Sequence, residues 1–422
     1  MIERCFNVNK RKIIDIFPNK YEFITTTIWS NDAIKNTKKQ LALICIRERA
    51  TNLQVIHPLS NFIINWKWRD RAYNTQRKHA KNIVRFLNYL LGKGMVIKSL
   101  ANLTIEIGNE YLESMVSEGR RRDTVTDAGR SLTAFYVWLS KQGLLTEINE
   151  NFIESKKYTN PKTYKNFYES LFSPILPHKM ASNRKHLIPT KYIPLLLEIA
   201  TLYAHPIVLG IYLQIFGGLR AGEVVNLKRT QIKKKLDSGD FLLDIKEQNF
   251  RTDLKDSSGA SYVKKNRKQQ VLQIKDWGEI LYKEHLEIYK DQDVTNTGAL
   301  FINRDGRPMS GKSYSQYFYK VKDKFVNFLR DYGTVEDRII AADLRISNWG
   351  THIGRGTFTN LIAEEIENPA ELMFLRGDDD LLSSLPYLAK TDRVRKKIED
   401  RLQKMHEEYV PTLVLRKTEN KR

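Results

Sequence analysis

The sequence predicts a mainly α-helical chain with a small antiparallel β-sheet in its C-terminal half, an α+β protein. Three observations carry this. Apolar residues repeat at a 3.6-residue period in several stretches that end at glycine, strand-like runs gather between residues 241 and 274, and a basic, proline-interrupted stretch over 148–188 separates two periodic regions. At 422 residues the chain has room for two or three domains and buries a core without disulfides or metals.

Lys plus Arg number 70 against 49 Asp plus Glu, a formal net charge of +21. That excess is the electrostatic footprint of a nucleic-acid binder. The two cysteines, Cys5 and Cys45, have no ligand-like spacing around them, which argues against a zinc site or a disulfide framework and for a reducing, cytoplasmic setting. The opening Met-Ile-Glu-Arg-Cys-Phe is charged too early for a secretory signal. No apolar run approaches roughly 18 residues, so no membrane span and no membrane partner is expected.

Residues 1–65 carry short apolar runs, Tyr21 to Trp29 and Leu41 to Ile46, but no motif, and read as an N-terminal extension. From Asn74 or Thr75 as N-cap, Ala80, Ile83, Val84, Leu87, Leu90 and Leu91 mark a helix that ends at Gly92. A second helix covers Ile105 to Val116, and a third carries Leu132, Phe135, Tyr136 and Leu139 before Gly143. Residues 66–147 thus form a helical domain whose Arg77, Lys78, Lys81, Arg85 and Arg120-Arg121-Arg122 are placed to track phosphates. Residues 148–188, with Pro161, Pro174 and Pro177, read as a basic linker.

A second domain, 189–400, opens with helices through Leu195 to Ile199 and Ile207 to Ile215. The latter runs into Phe216-Gly217-Gly218-Leu219-Arg220-Ala221-Gly222-Glu223. Its two glycines give a sharp turn, Arg220 stands at the start of the next helix, and Glu223 one turn on either orients that guanidinium or caps the helix. Phe241 to Ile245 reads as a strand, and Ser261 to Ile274 as a hairpin with a basic tip. Ala299 to Ile302 leads into a helix from Tyr314 to Leu329. Further on, Thr351-His352-Ile353-Gly354-Arg355 heads a segment in which Phe358, Leu361 and Ile362 recur at helical spacing, so His352 and Arg355 share a face of its first turn. A guanidinium fork matches two phosphate oxygens, and an imidazole beside it donates a hydrogen bond or moves a proton near neutral pH.

Gly-Leu-Arg-x-x-Glu, a lysine hairpin, His-x-x-Arg and a tyrosine downstream together resemble the tyrosine recombinase (phage integrase) family over roughly residues 70–400. The resemblance implies that Arg220 is the first catalytic arginine with Glu223 as its acidic companion, and that Lys265, with Lys264 as fallback, is the hairpin lysine. It puts His352 and Arg355 at the family's paired positions and Tyr387 at the nucleophile. Lys264, Arg267 and Lys268 are read as DNA contacts on the hairpin. Two positions depart from the pattern. Gly356 stands where a histidine often follows the second arginine. Asp378 stands where the family commonly has histidine or tryptophan, and is read as a supporting residue that caps the helix near Leu381 or pairs with an arginine.

The implied function is site-specific DNA recombination through a covalent 3′-phosphotyrosine, with no cofactor, metal or ATP. The implied partners are a double-stranded recombination site and further copies of the chain, two on one site and four on paired sites. The tail, 401–422, is read as a segment exchanged between subunits. Two other classes stay open. One is a metal-dependent nuclease or strand transferase using Asp378, Asp379 and Asp380, which chelators would inhibit. The other is a non-catalytic DNA-binding or architectural protein, which would form no covalent adduct.

Overall fold

The computed structural model describes residues 20–32, 37–92, 100–160, 165–179, 187–235, 238–363, 375, 398–404 and 406–407. The chain divides into two units, Met1–Ala181 and Ser182–Arg422. Helices dominate both and the sheets are small and antiparallel, the class the sequence predicts.

The N-terminal unit begins with strands β1 (Tyr21–Asp32), β2 (Thr37–Glu48) and β3 (Gln54–Ile56), ordered β1-β2-β3. A short turn of helix, α1 (Asn61–Ile64), precedes α2 (Tyr73–Gly92), α3 (Ile105–Ser117), α4 (Arg122–Lys141) and α5 (Glu150–Ser155). The hairpin of β4 (Lys157–Asn160) and β5 (Lys165–Tyr168) follows. The three long helices fall where the apolar period puts them.

Two boundaries differ from the sequence reading. Residues 1–65 read as an extension from sequence, yet Phe23, Ala42, Ile44, Phe62 and Ile63 share one apolar core with α2 and α4. Asn88 of α2 fixes the junction: its Oδ1 accepts from the Phe23 N–H and its Nδ2 donates to the Phe23 carbonyl, both at 2.8 Å. The other difference is the stretch 148–188. Leu171 and Phe172 are buried in that same core, and the unit boundary falls after Ala181. A side chain at Gly108 would strike Phe172 Cε1 at 2.1 Å, so this glycine leaves the space that the ring fills.

The C-terminal unit carries α6 (Ile193–Ala204), α7 (Val208–Gly217), α8 (Ala221–Val225), strands β6 (Ile232–Lys234), β7 (Phe241–Ile245) and β8 (Arg267–Val271), then α9 (Trp277–Tyr289), α10 (Gly311–Tyr332), α11 (Val335–Ile346) and α12 (His352–Ala363). Thr190–Gly217 is long and apolar enough by length and composition to cross a membrane, but 67% of its most apolar 18-residue window is buried inside this unit, where α6 and α7 are core helices. The predicted hairpin within 261–274 is also corrected. β8 pairs instead with β7, from Phe241↔Val271 to Ile245↔Arg267, because Phe241, Leu243 and Ile245 are the apolar row that needs a partner. The lysines sit in the connection just before β8.

Candidate active site

The site grows from the end of α7. Gly218 adopts the left-handed conformation, φ 66° and ψ 25°, and its N–H closes the helix on the Gln214 carbonyl. A Cβ there would stand 2.5 Å from Phe358 Cδ1, and one at Gly217 would stand 2.5 Å from Val271 Cγ2. The paired glycines therefore let α12 and β8 close on the same turn. On α12, Gly354 does likewise, since a Cβ there would lie 2.7 Å from Gln214 Cβ.

Gln214 orders the entry to α12. Its Nε2 donates to the Thr351 carbonyl at 3.1 Å, and its Oε1 accepts from the Tyr314 hydroxyl at 2.8 Å. Burial pushes the Tyr314 phenol well above its ordinary pKa, which keeps it a donor. Arg355, one turn into α12 and only 5% exposed, donates from Nη1 to the Gly218 carbonyl at 2.6 Å. Its guanidinium thus reaches the backbone two residues from Arg220. His352, at the first position of α12, is exposed.

Arg220 is the N-cap of α8. Glu223 both caps that helix, accepting from the Arg220 N–H at 2.8 Å, and orients the side chain, accepting from Nη1 at 3.0 Å. A third hold on Glu223 comes from Arg267, whose Nη1 and Nη2 reach its two carboxylate oxygens at 2.5 and 3.0 Å. The sequence reading offered Arg267 to DNA, and that is corrected here: its side chain is 6% exposed and its fork is spent on a fully buried carboxylate. Charge-assisted, bidentate pairing is the strong form of this bond. Period-two alternation carries the missed signal, since Arg267, Gln269 and Val271 share one face of β8 while Lys268 points out.

We expect Glu223→Ala to lower the unfolding free energy by roughly 3–5 kcal/mol, the cost of stranding a buried charge. Urea denaturation measures it, and a loss below about 1 kcal/mol would mean that Arg267 finds another acceptor or water.

Lys264 and Lys265 are exposed, on a short span between buried Val263 and Arg267. Asn226 ties down the connection that carries them. Its Nδ2 donates to the carbonyls of Gly222 (2.8 Å) and Ser261 (2.6 Å), and its Oδ1 accepts from the Gln248 N–H (2.9 Å). The sequence reading missed this residue, although an amide inside Val224-Val225-Asn226-Leu227 is a polar group in search of partners.

Tyr387 and Asp378 lie outside the described residues, as do Asp379 and Asp380. Among the described residues no three His, Cys, Asp or Glu side chains gather in a metal-like group.

The N-terminal unit has its own basic face. Arg77, Lys81 and Arg85 recur at helical spacing on α2, and the Lys81 ammonium is shifted down by burial and by its two neighbours. Lys78 turns toward Asp127 at 3.5 Å, and Arg120 pairs with Glu118 at 3.3 Å. Arg121 and Arg122 are exposed at the head of α4.

No family model and no curated protein matches this sequence. Among solved structures it is similar to the Tn1549 transposon integrase in complex with circular intermediate DNA, at 15% identity and a TM-score of 0.48, covering 77% of this chain and 93% of that one. It is similar to the XerH site-specific recombinase bound to its difH substrate, at 18% identity and a TM-score of 0.47, covering 78% and 79%. It is also similar to a lambda integrase dimer bound to a core site, at 14% identity and a TM-score of 0.44, covering 73% and 89%.

Proposed function

We propose that this chain is a site-specific DNA strand transferase of the tyrosine-recombinase kind. The observation that carries the reading is the junction at Gly218, where Arg355 is anchored beside the segment that presents Arg220. Two guanidiniums directed at one phosphate suit a transition state that concentrates charge on the non-bridging oxygens. Folding has already oriented them, so little is lost in ordering them when DNA arrives.

In the proposed reaction the Tyr387 hydroxyl oxygen attacks a backbone phosphorus, a 3′-phosphotyrosine bond forms, and the bond to the 5′-oxygen breaks. The phenol has a pKa near 10, so its proton must leave during attack, and His352 is the base or hydrogen-bond donor assigned to that step. Lys265, with Lys264 as the alternative, returns a proton to the departing 5′-oxygen. A 5′-hydroxyl of another strand then attacks the phosphotyrosine and restores the tyrosine. The phosphodiester energy is conserved in the covalent intermediate, so the exchange needs no ATP. DNA contacts are assigned to Arg77, Lys81, Arg121, Arg122 and Lys268, with two chains on one site and four on paired sites.

A nicked suicide substrate tests the reading. We expect a protein–DNA adduct that survives denaturant and forms equally well in excess EDTA, because every charge proposed on the phosphate is a side chain. Failure to form an adduct on any substrate, or a strict need for a divalent ion, would overturn it.

A further inference from the structure

A cleft of about 1100 Å³ opens in the N-terminal unit between α4 and the β4–β5 hairpin, and the strand-transfer reading makes no use of it. We infer that it is a second nucleic-acid site, one that takes an unstacked stretch of single-stranded DNA, with phosphate on Lys67, Arg71 and Lys141 and a base against the Tyr158–Phe167 ring pair.

The cations come first. Lys67, Arg71 and Lys141 all line the cleft, and none has a carboxylate within ion-pair distance among the described residues. The Lys67 ammonium lies over the rings of Trp68 and Phe167, 5.5 and 5.7 Å from their centroids. Its pKa is lowered by the rings packed around its stem and then by Arg71 and Lys141, so this surface ammonium stands among like charges. An anion seated there would relieve all three. Lys78 and Arg130 also reach the cleft, but they share Asp127.

The rings decide which anion. Tyr158 and Phe167 pair across the hairpin and stack at 5.9 Å and 27°, and Tyr158 is 46% exposed. Deeper in, Trp68 is held flat on His79 at 3.6 Å, and its buried indole N–H has no acceptor among the described residues. A duplex keeps its bases stacked inside, out of reach of rings in a concavity, whereas single strands offer a π-face at each nucleotide.

The inference does not depend on catalysis, because a chain that cuts nothing would still bind. It is tested on the full chain by fluorescence anisotropy with three labelled probes of equal length: an oligothymidine, the same strand with abasic sites, and a duplex. Lys67→Ala combined with Arg71→Ala is expected to weaken oligothymidine binding about tenfold or more and to lower the salt slope by about 0.7 per cation removed. Tyr158→Ala should weaken it about fivefold or more, with under about twofold change on the abasic strand. All three side chains are exposed, so the thermal midpoint should hold, and duplex affinity should stay within about twofold. Equal losses on the duplex would make the cleft part of a duplex track and overturn the inference. So would unchanged binding of every probe, or an equal loss on the abasic strand from Tyr158→Ala.

Discussion

Tyr387→Phe is expected to bind its DNA site as the parent does and to form no denaturant-resistant adduct with it. The substitution removes one oxygen and leaves the ring, so groove and phosphate contacts elsewhere are untouched while the nucleophile is gone. Denaturing electrophoresis on a suicide substrate reads the result beside a gel shift at matched salt. Adduct formation at the parental level would move the nucleophile to another of the chain's 20 tyrosines. Many of these are poorly placed on physical grounds. Tyr136, Tyr192, Tyr212 and Tyr314, for example, are fully buried, beyond the reach of a phosphodiester.

The next largest effect belongs to Arg355. Arg355→Ala should slow cleavage by roughly 10²–10³ under single-turnover conditions, the scale of losing one preorganised contact to developing charge. Binding should change far less, because ground-state affinity is spread over many phosphates. Arg355→Lys should recover little of the rate. An ammonium has no planar fork with which to hold the Gly218 carbonyl and still present donors to a phosphate. Arg220→Ala should match it in rate, with Glu223 keeping the Arg267 fork and the backbone N–H of residue 220 but losing the Arg220 guanidinium. Equal losses in binding and in cleavage would reduce both arginines to ordinary phosphate anchors.

Local signals were legible in the sequence, and pairings between distant segments were not. The periods of α2, α3 and α4 and the Gly217-Gly218 stop announced themselves, because helix faces and turns are written in neighbouring residues. Arg220 and Glu223, one turn apart, could be matched for the same reason. Arg267 could not: in Lys264-Lys265-Asn266-Arg267-Lys268 nothing local separates the one cation that turns inward, and its partner lies 44 positions away. The N-terminal sheet failed for a similar reason. Phe23 has meaning only beside Asn88, 65 residues on, and an extension and a structural sheet look alike until α2 covers one face.

The bond from Arg355 to Gly218 has a thermodynamic consequence. It fixes Arg355 to the turn that leads into Arg220 when the chain folds, so the two proposed phosphate ligands are assembled only in the folded state. A phosphate held by both would bind only the folded form. Affinity and fold stability are then linked functions. A side chain added at Gly218 or Gly354, by prising α12 from α7, would cost both together, and neither could be adjusted there without the other.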